Sequence, residues 1–119
     1  MLGFIRDMLR SPEAQPDAYI WAAALTGHFA VGIVLTALVG WRVGAWRGAA
    51  IVTLGYLMLW EGAQLAVFGG TTADGLVDGA AVACGAVVAA GAWRNKGAAV
   101  AGAIAVLSAI GVTGIRRRR

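Results

Sequence analysis

Cysteine occurs once in the 119 residues, histidine once and proline twice, and only six residues are acidic. The single Cys84 rules out an internal disulfide and a cysteine-based metal site. It sits in the run "AAVACGAVV", where the expected role is that of a small buried apolar residue. Both prolines, Pro12 and Pro16, precede residue 17, so no proline interrupts the rest. Charge is scarce as well. Charged residues make up 13% of the chain, hydrophobic residues 60%, and the mean hydropathy is +0.75. A soluble domain of this size needs far more polar surface, so the composition points to a membrane protein long enough for one domain.

The ten basic residues give a net charge of +4, but they form no stripe. Arg6, Arg10, Arg42, Arg47, Arg94, Lys96 and Arg116 to Arg119 nearly all flank apolar stretches. That is the distribution of membrane-edge anchors, so the expected partner is the lipid bilayer and not nucleic acid. The first seventeen residues carry Arg6, Asp7, Arg10, Glu13 and Asp17 and contain no apolar core long enough for a cleavable signal. The first membrane helix is therefore expected to direct its own insertion.

The predicted fold is all-α: a polytopic membrane protein with four transmembrane helices in an antiparallel bundle, preceded by a short amphipathic surface helix. Residues 1–17 form the surface helix and linker, 18–115 the bundle, and 116–119 a basic tail. In "LGFIRDMLR" (2–10) Leu2, Phe4, Ile5, Met8 and Leu9 share one helical face, which suits the membrane surface. Four apolar stretches follow, at 18–40, 49–68, 76–93 and 98–115. The first two are long enough for a hydrocarbon core of about 30 Å at about 1.5 Å per residue, and the last two are shorter and rich in Ala and Gly. The breaks "WRVGAWRG", "GGTTADG" and "RNKG" are short, so successive helices should pack as neighbours. Trp41, Trp46, Trp60 and Trp93 fall near segment ends, as interfacial aromatics do. The pairs Ala81/Gly85 and Ala98/Gly102 are expected to bring the third and fourth helices close. With four spans, both termini and the second loop share a side carrying six Lys/Arg against four on the other. The positive-inside rule then puts both termini in the cytoplasm, for a multi-pass protein of the bacterial inner membrane. The tail Arg116, Arg117, Arg118 and Arg119 is expected to anchor the last helix at anionic headgroups.

Against this background the stretch "LWEGAQLAVFGGTTADGLVDGAA" stands out, because it holds Glu61, Asp74 and Asp78, three of the six acids, with Gln64 between them. Antiparallel threading gathers them. His28 lies about 15 Å into the first helix and Glu61 roughly 12 Å into the second from the same side. Gln64 is a turn shallower, Asp74 is placed in the loop and Asp78 just inside the third helix. Glu61/Gln64 and Asp74/Asp78 are spaced to share helix faces. Thr53 and Leu57 extend the Glu61 stripe, and Thr36 lies two turns from His28. A carboxylate at the centre of a membrane helix costs about 2.5–3.5 kcal/mol on insertion scales, so such residues face the bundle interior and find partners. Two readings stay open: a hydrogen-bonded knot that holds the helices together, or a ligand site made of His28, Glu61, Gln64, Asp74 and Asp78. Asp74 and Asp78 could also serve as a helix cap and a first-turn acid. Burial favours a protonated Glu61 and a neighbouring cation favours its carboxylate, and the sequence leaves both open.

These residues also carry a resemblance. His28-Phe29 in the first helix, Glu61-Gly-Ala-Gln64 late in the second and Asp74-Gly-Leu-Val-Asp78-Gly-Ala-Ala81 entering the third resemble the pattern of the VanZ-like family. Those are small bacterial four-helix membrane proteins, and the likeness spans residues 18 to about 95. Asp78 stands where the family has asparagine, Ala81 where it has glycine, and "GGTTA" where members carry an arginine. The resemblance implies a four-helix fold and a polar site at these positions. Since the family's namesake is linked to low-level teicoplanin resistance, it also implies a role at the cell envelope.

The function this predicts is binding of an amphiphilic or cationic ligand at an intramembrane polar cluster. The competing reading is a phage holin-like protein that accumulates and permeabilises the membrane, to which small size, Ala/Gly-rich spans and a basic tail are suited. Small proton-coupled exporters keep an essential glutamate in the first helix, and this first helix has no acid. No nucleophile triad, phosphate-binding glycine loop, dinucleotide fingerprint or metal spacing is present, so no catalytic residue, cofactor or metal is assigned and an enzyme is not expected. Self-association between copies is left open.

Overall fold

The computed structural model describes residues 17–63, 66 and 72–119, with residues 60, 61 and 72–75 described by backbone alone. The expected surface helix at 2–10 lies outside them. Among the described residues the chain is helical and has no strand. Helix α1 spans Ala18–Val43, α2 Ala45–Gly55 with a π-helical continuation Tyr56–Glu61, α3 Thr72–Trp93, and α4 Gly97–Arg117.

Local chemistry sets the boundaries. Asp17 is the N-cap of α1, its Oδ1 accepting the Ile20 N–H at 2.9 Å, as short polar residues do at helix starts. The first break is a single residue. Gly44 adopts φ 102° and ψ 151°, a conformation open to glycine alone, so the helices run closer together than "WRVGAWRG" suggests. At the other turn Asn95 takes φ 57°. The Asn95 N–H bonds Ala92 O at 3.3 Å and the Lys96 N–H bonds Gly91 O at 2.7 Å, the paired bonds of a Schellman helix end.

α1, α3 and α4 are long and apolar enough to cross a membrane, and Ala45–Leu59 is a shorter apolar helix. At about 1.5 Å per residue α4 alone measures roughly 31 Å. Glycines set how closely the helices pack. A methyl on Gly32 would collide with the Val82 carbonyl, and one on Gly85 with the Phe29 carbonyl. The backbones of α1 and α3 are therefore in direct contact, the close approach that small residues allow in membranes. This corrects the expected partner of the Ala81/Gly85 pair: Gly85 faces α1, and Gly102 has open space around it. The α3–α4 contact instead runs through Gly91 against Ala99 and Val100.

Residue registers order the helices. His28 of α1 meets Tyr56, while Thr36 and Gly40 meet Gly48. Leu57 meets Gly79, while Ala45 and Ala49 cluster with Ala86 and Ala90. Trp21 near the start of α1 packs on Gly114 near the end of α4. At one end Trp93 lies beside Gly40, bringing the two short turns together. Trp41, Trp46 and Trp93 are exposed there, with Arg42, Arg47, Arg94 and Lys96 around them. At the opposite end Arg118 stacks on Trp21, 4.5 Å from guanidinium carbon to ring centroid.

Candidate functional site

The site starts from a histidine on an otherwise apolar helix. His28 follows Leu25 and Gly27 on the buried side of α1, about four and a half turns before the break at Gly44. Its Nδ1 lies 2.8 Å from the Ala24 carbonyl one turn back. A carbonyl oxygen can only accept, so Nδ1 is the donor and carries a proton. Nε2 points the other way, toward Asp78 Oδ2 at 3.8 Å. Both side chains are completely buried.

Asp78 reaches this position because α3 begins earlier than the sequence suggests. Its first residue is Thr72, so Asp74 lies in the first turn and not in a loop. Asp78 is the seventh residue of the helix, beyond the first turn where an acid would complement the backbone N–H groups. Capping therefore does not account for it. A buried carboxyl must be paired or neutralised, and here it is set against His28.

Tyr56 supplies the third group. Its ring stands edge-on to the imidazole, with centroids 5.9 Å apart and planes at 83°. An α-helical period projects the Glu61 stripe onto Leu57 and Thr53 and leaves Tyr56 off it. The backbone becomes π-helical at Tyr56, the kind of local widening often found at functional sites. Tyr56 then faces α1 while Leu57 packs on Gly79 of α3. The only signal in the sequence was an amphipathic aromatic five residues before Glu61. His28, Tyr56 and Asp78 each make at least one further interaction.

Of the five predicted cluster residues, His28 and Asp78 are brought together. Glu61 ends the π-helical segment and Asp74 is the third residue of α3, but both side chains and all of Gln64 lie outside the described residues. Thr36, two turns along α1 from His28, is fully buried with no hydrogen-bond partner for its hydroxyl among the described residues. Cys84 is buried and free. Among the described residues no three His, Cys, Asp or Glu side chains form a group able to hold a metal ion.

The pair has a definite proton chemistry. With Nδ1 already protonated, Nε2 carries a second proton only as imidazolium. One proton shared by the pair thus gives either imidazolium with carboxylate, or neutral imidazole with carboxylic acid. Removing it leaves a lone pair facing a carboxylate in a low-dielectric interior, which is costly.

The tail is split in its roles. Arg118 donates from Nη1 to the Gly114 carbonyl at 2.9 Å and covers Trp21. Arg116 and Arg119 are exposed, and Arg117 lines a groove beside Trp21. Compared with protein-family models, curated proteins and solved structures, the chain matches none.

Proposed function

We propose that the chain is a VanZ-like envelope protein, an antiparallel four-span bundle in the bacterial inner membrane with cytoplasmic termini, that binds a cationic amphiphile at the His28–Asp78 pair. One observation carries the ligand reading: a fully buried carboxyl and a fully buried imidazole lie 3.8 Å apart between two membrane-length helices. Such groups inside a membrane domain mark binding and proton pathways. The registers of α1, α2, α3 and α4 support alternating helix directions. The basic, Trp-rich rim at one end and Trp21 with Arg116–Arg119 at the other support two membrane edges.

In this mechanism the cation replaces the proton of the pair. The O–H bond of Asp78, or the Nε2–H bond of His28, breaks and the proton leaves to water. The bonding pair stays on the atom that gives up the proton, so either route ends with Asp78 as a carboxylate paired with the cation and His28 as a neutral imidazole, and the face of Tyr56 offers a cation–π contact. Binding therefore releases one proton. The test uses tetraphenylphosphonium and protein in lipid nanodiscs, titrated calorimetrically in two buffers of different ionisation enthalpy. Saturable binding with about one proton released, lost in Asp78→Asn, is the expected result. Equal binding by wild type and Asp78→Asn removes the proposal.

One observation favours the holin-like alternative: only 11% of the membrane-length stretch of α4 is buried against the rest of the chain, leaving a face for lateral association between copies. That reading requires induced expression to collapse the membrane potential, and it gives the buried pair no task.

A further inference from the structure

A second site lies at the end of the molecule where α1 begins and α4 finishes. A groove of about 290 Å³ runs there between α1, α3 and α4, lined by Trp21, Val77, Ala109, Ile110, Thr113 and Arg117. A water occupies about 30 Å³ in the liquid, so the space fits a chain segment and not a single ion. Its inner wall is apolar: Val77 and Ile110 are half-buried against the Trp21 cluster. Its mouth is polar, with the exposed Thr113 one turn before Arg117. The floor is fixed in place. Trp21 lies flat on Gly114, where any methyl would collide with the ring, and Arg118 covers its face. The indole nitrogen is buried with no hydrogen-bond partner among the described residues, so packing and the guanidinium stack hold the ring.

The geometry points to an anionic phospholipid as the occupant. One acyl chain would lie along Val77, Ile110 and Ala109. The headgroup phosphate would accept from the Thr113 hydroxyl and from the guanidinium of Arg117, which has five N–H donors and already makes an interaction within the chain, with Arg116 and Arg119 adding positive field at the rim. Basic grooves between membrane helices select anionic headgroups in this way. The inference rests on the membrane placement of α1, α3 and α4 and is independent of the His28–Asp78 ligand.

The test is quenching of Trp21 by brominated lipid. A variant with Trp41, Trp46, Trp60 and Trp93 changed to Phe, reconstituted in phosphatidylcholine vesicles, reports on Trp21 alone. Brominated phosphatidylglycerol should quench it at a roughly fivefold lower mole fraction than brominated phosphatidylcholine, the enrichment expected for one basic residue near the surface. Arg117→Gln should lower that ratio clearly more than Arg116→Gln, which changes only the rim field, and Ala109→Phe, which fills the groove, should reduce quenching by both lipids. Equal quenching by the two lipids, or a preference that Arg117→Gln lowers no more than Arg116→Gln does, overturns the site while leaving the membrane placement intact. No quenching by either lipid overturns both.

Discussion

His28 Nε2 lies 3.8 Å from Asp78 Oδ2, with the imidazole fixed from behind by its Nδ1–H bond to the Ala24 carbonyl. The two residues come from different helices, and the spacing between them is set by glycine. Gly32, one turn after His28, and Gly85, about two turns after Asp78, press the backbones of α1 and α3 together. Helix packing and site chemistry are therefore one problem, and each can be perturbed through the other.

Asp78→Ala should destabilise the protein by about 1–3 kcal/mol, because a buried polar group loses its partner. Asp78→Asn keeps a hydrogen-bonding shape and should cost less than about 1 kcal/mol, near the average for polar pairs in membrane proteins. Equilibrium unfolding in mixed micelles measures both. Equal costs would mean that the carboxyl has no partner to lose.

Gly32→Ala should cost about 1–3 kcal/mol, since the added methyl meets the Val82 carbonyl and backbone cannot move aside as a side chain can. The matched control is Gly102→Ala, with open space around it. There the better helix propensity of alanine should leave stability unchanged or raise it by up to about 1 kcal/mol. The same unfolding assay, with helicity by circular dichroism, separates the two.

The four arginines of the tail should not be equivalent. Arg118→Gln removes a stack on a buried indole, a contact worth roughly 0.5–2 kcal/mol, and should lower stability and shift Trp21 emission. Arg116→Gln with Arg119→Gln should leave stability unchanged and reduce membrane insertion, read as the yield of correctly oriented protein. If all three residues affect insertion alone, the Arg118–Trp21 contact is not structural.

Reporter fusions after Arg47 and Lys96 should report one side of the membrane, and a fusion after Arg119 the other. Lys96 and Arg119 on the same side would mean that α4 does not span, and both sites would lose their setting.

Much of this architecture is legible in the sequence, for identifiable reasons. Hydropathy places α1, α3 and α4 because a membrane helix needs a long apolar run. That His28 and Asp78 stand at one level follows from helical rise once α1 and α3 are neighbours. The turn at Gly44 is shorter than it reads, because a glycine at positive φ reverses the chain within one residue. The start of α3 is hidden by "TTADG", whose residue types suit turns as well as first helical turns. Tyr56 is hidden by a change of helical period, which hydrophobic spacing does not register. A small-residue stripe shows that a close neighbour exists and not which helix supplies it, so the Ala81/Gly85 spacing suits α4 as well as α1, on which Gly85 packs. Trp21, the fourth residue of α1, is buried because Gly114 leaves room for its ring, a contact between distant residues that sequence spacing does not show.

His28 and Asp78 are expected to share one proton across a fixed imidazole. Because His28 is the only histidine, ¹⁵N-histidine labelling gives spectra of this one ring. Solid-state NMR of the labelled protein in bilayers, with and without Asp78→Asn, is the direct measurement. Nδ1 should be protonated in both proteins, and the Nε2 resonance should move when Asp78 becomes Asn. A neutral ring protonated at Nε2, with resonances indifferent to Asp78→Asn, would contradict the shared proton.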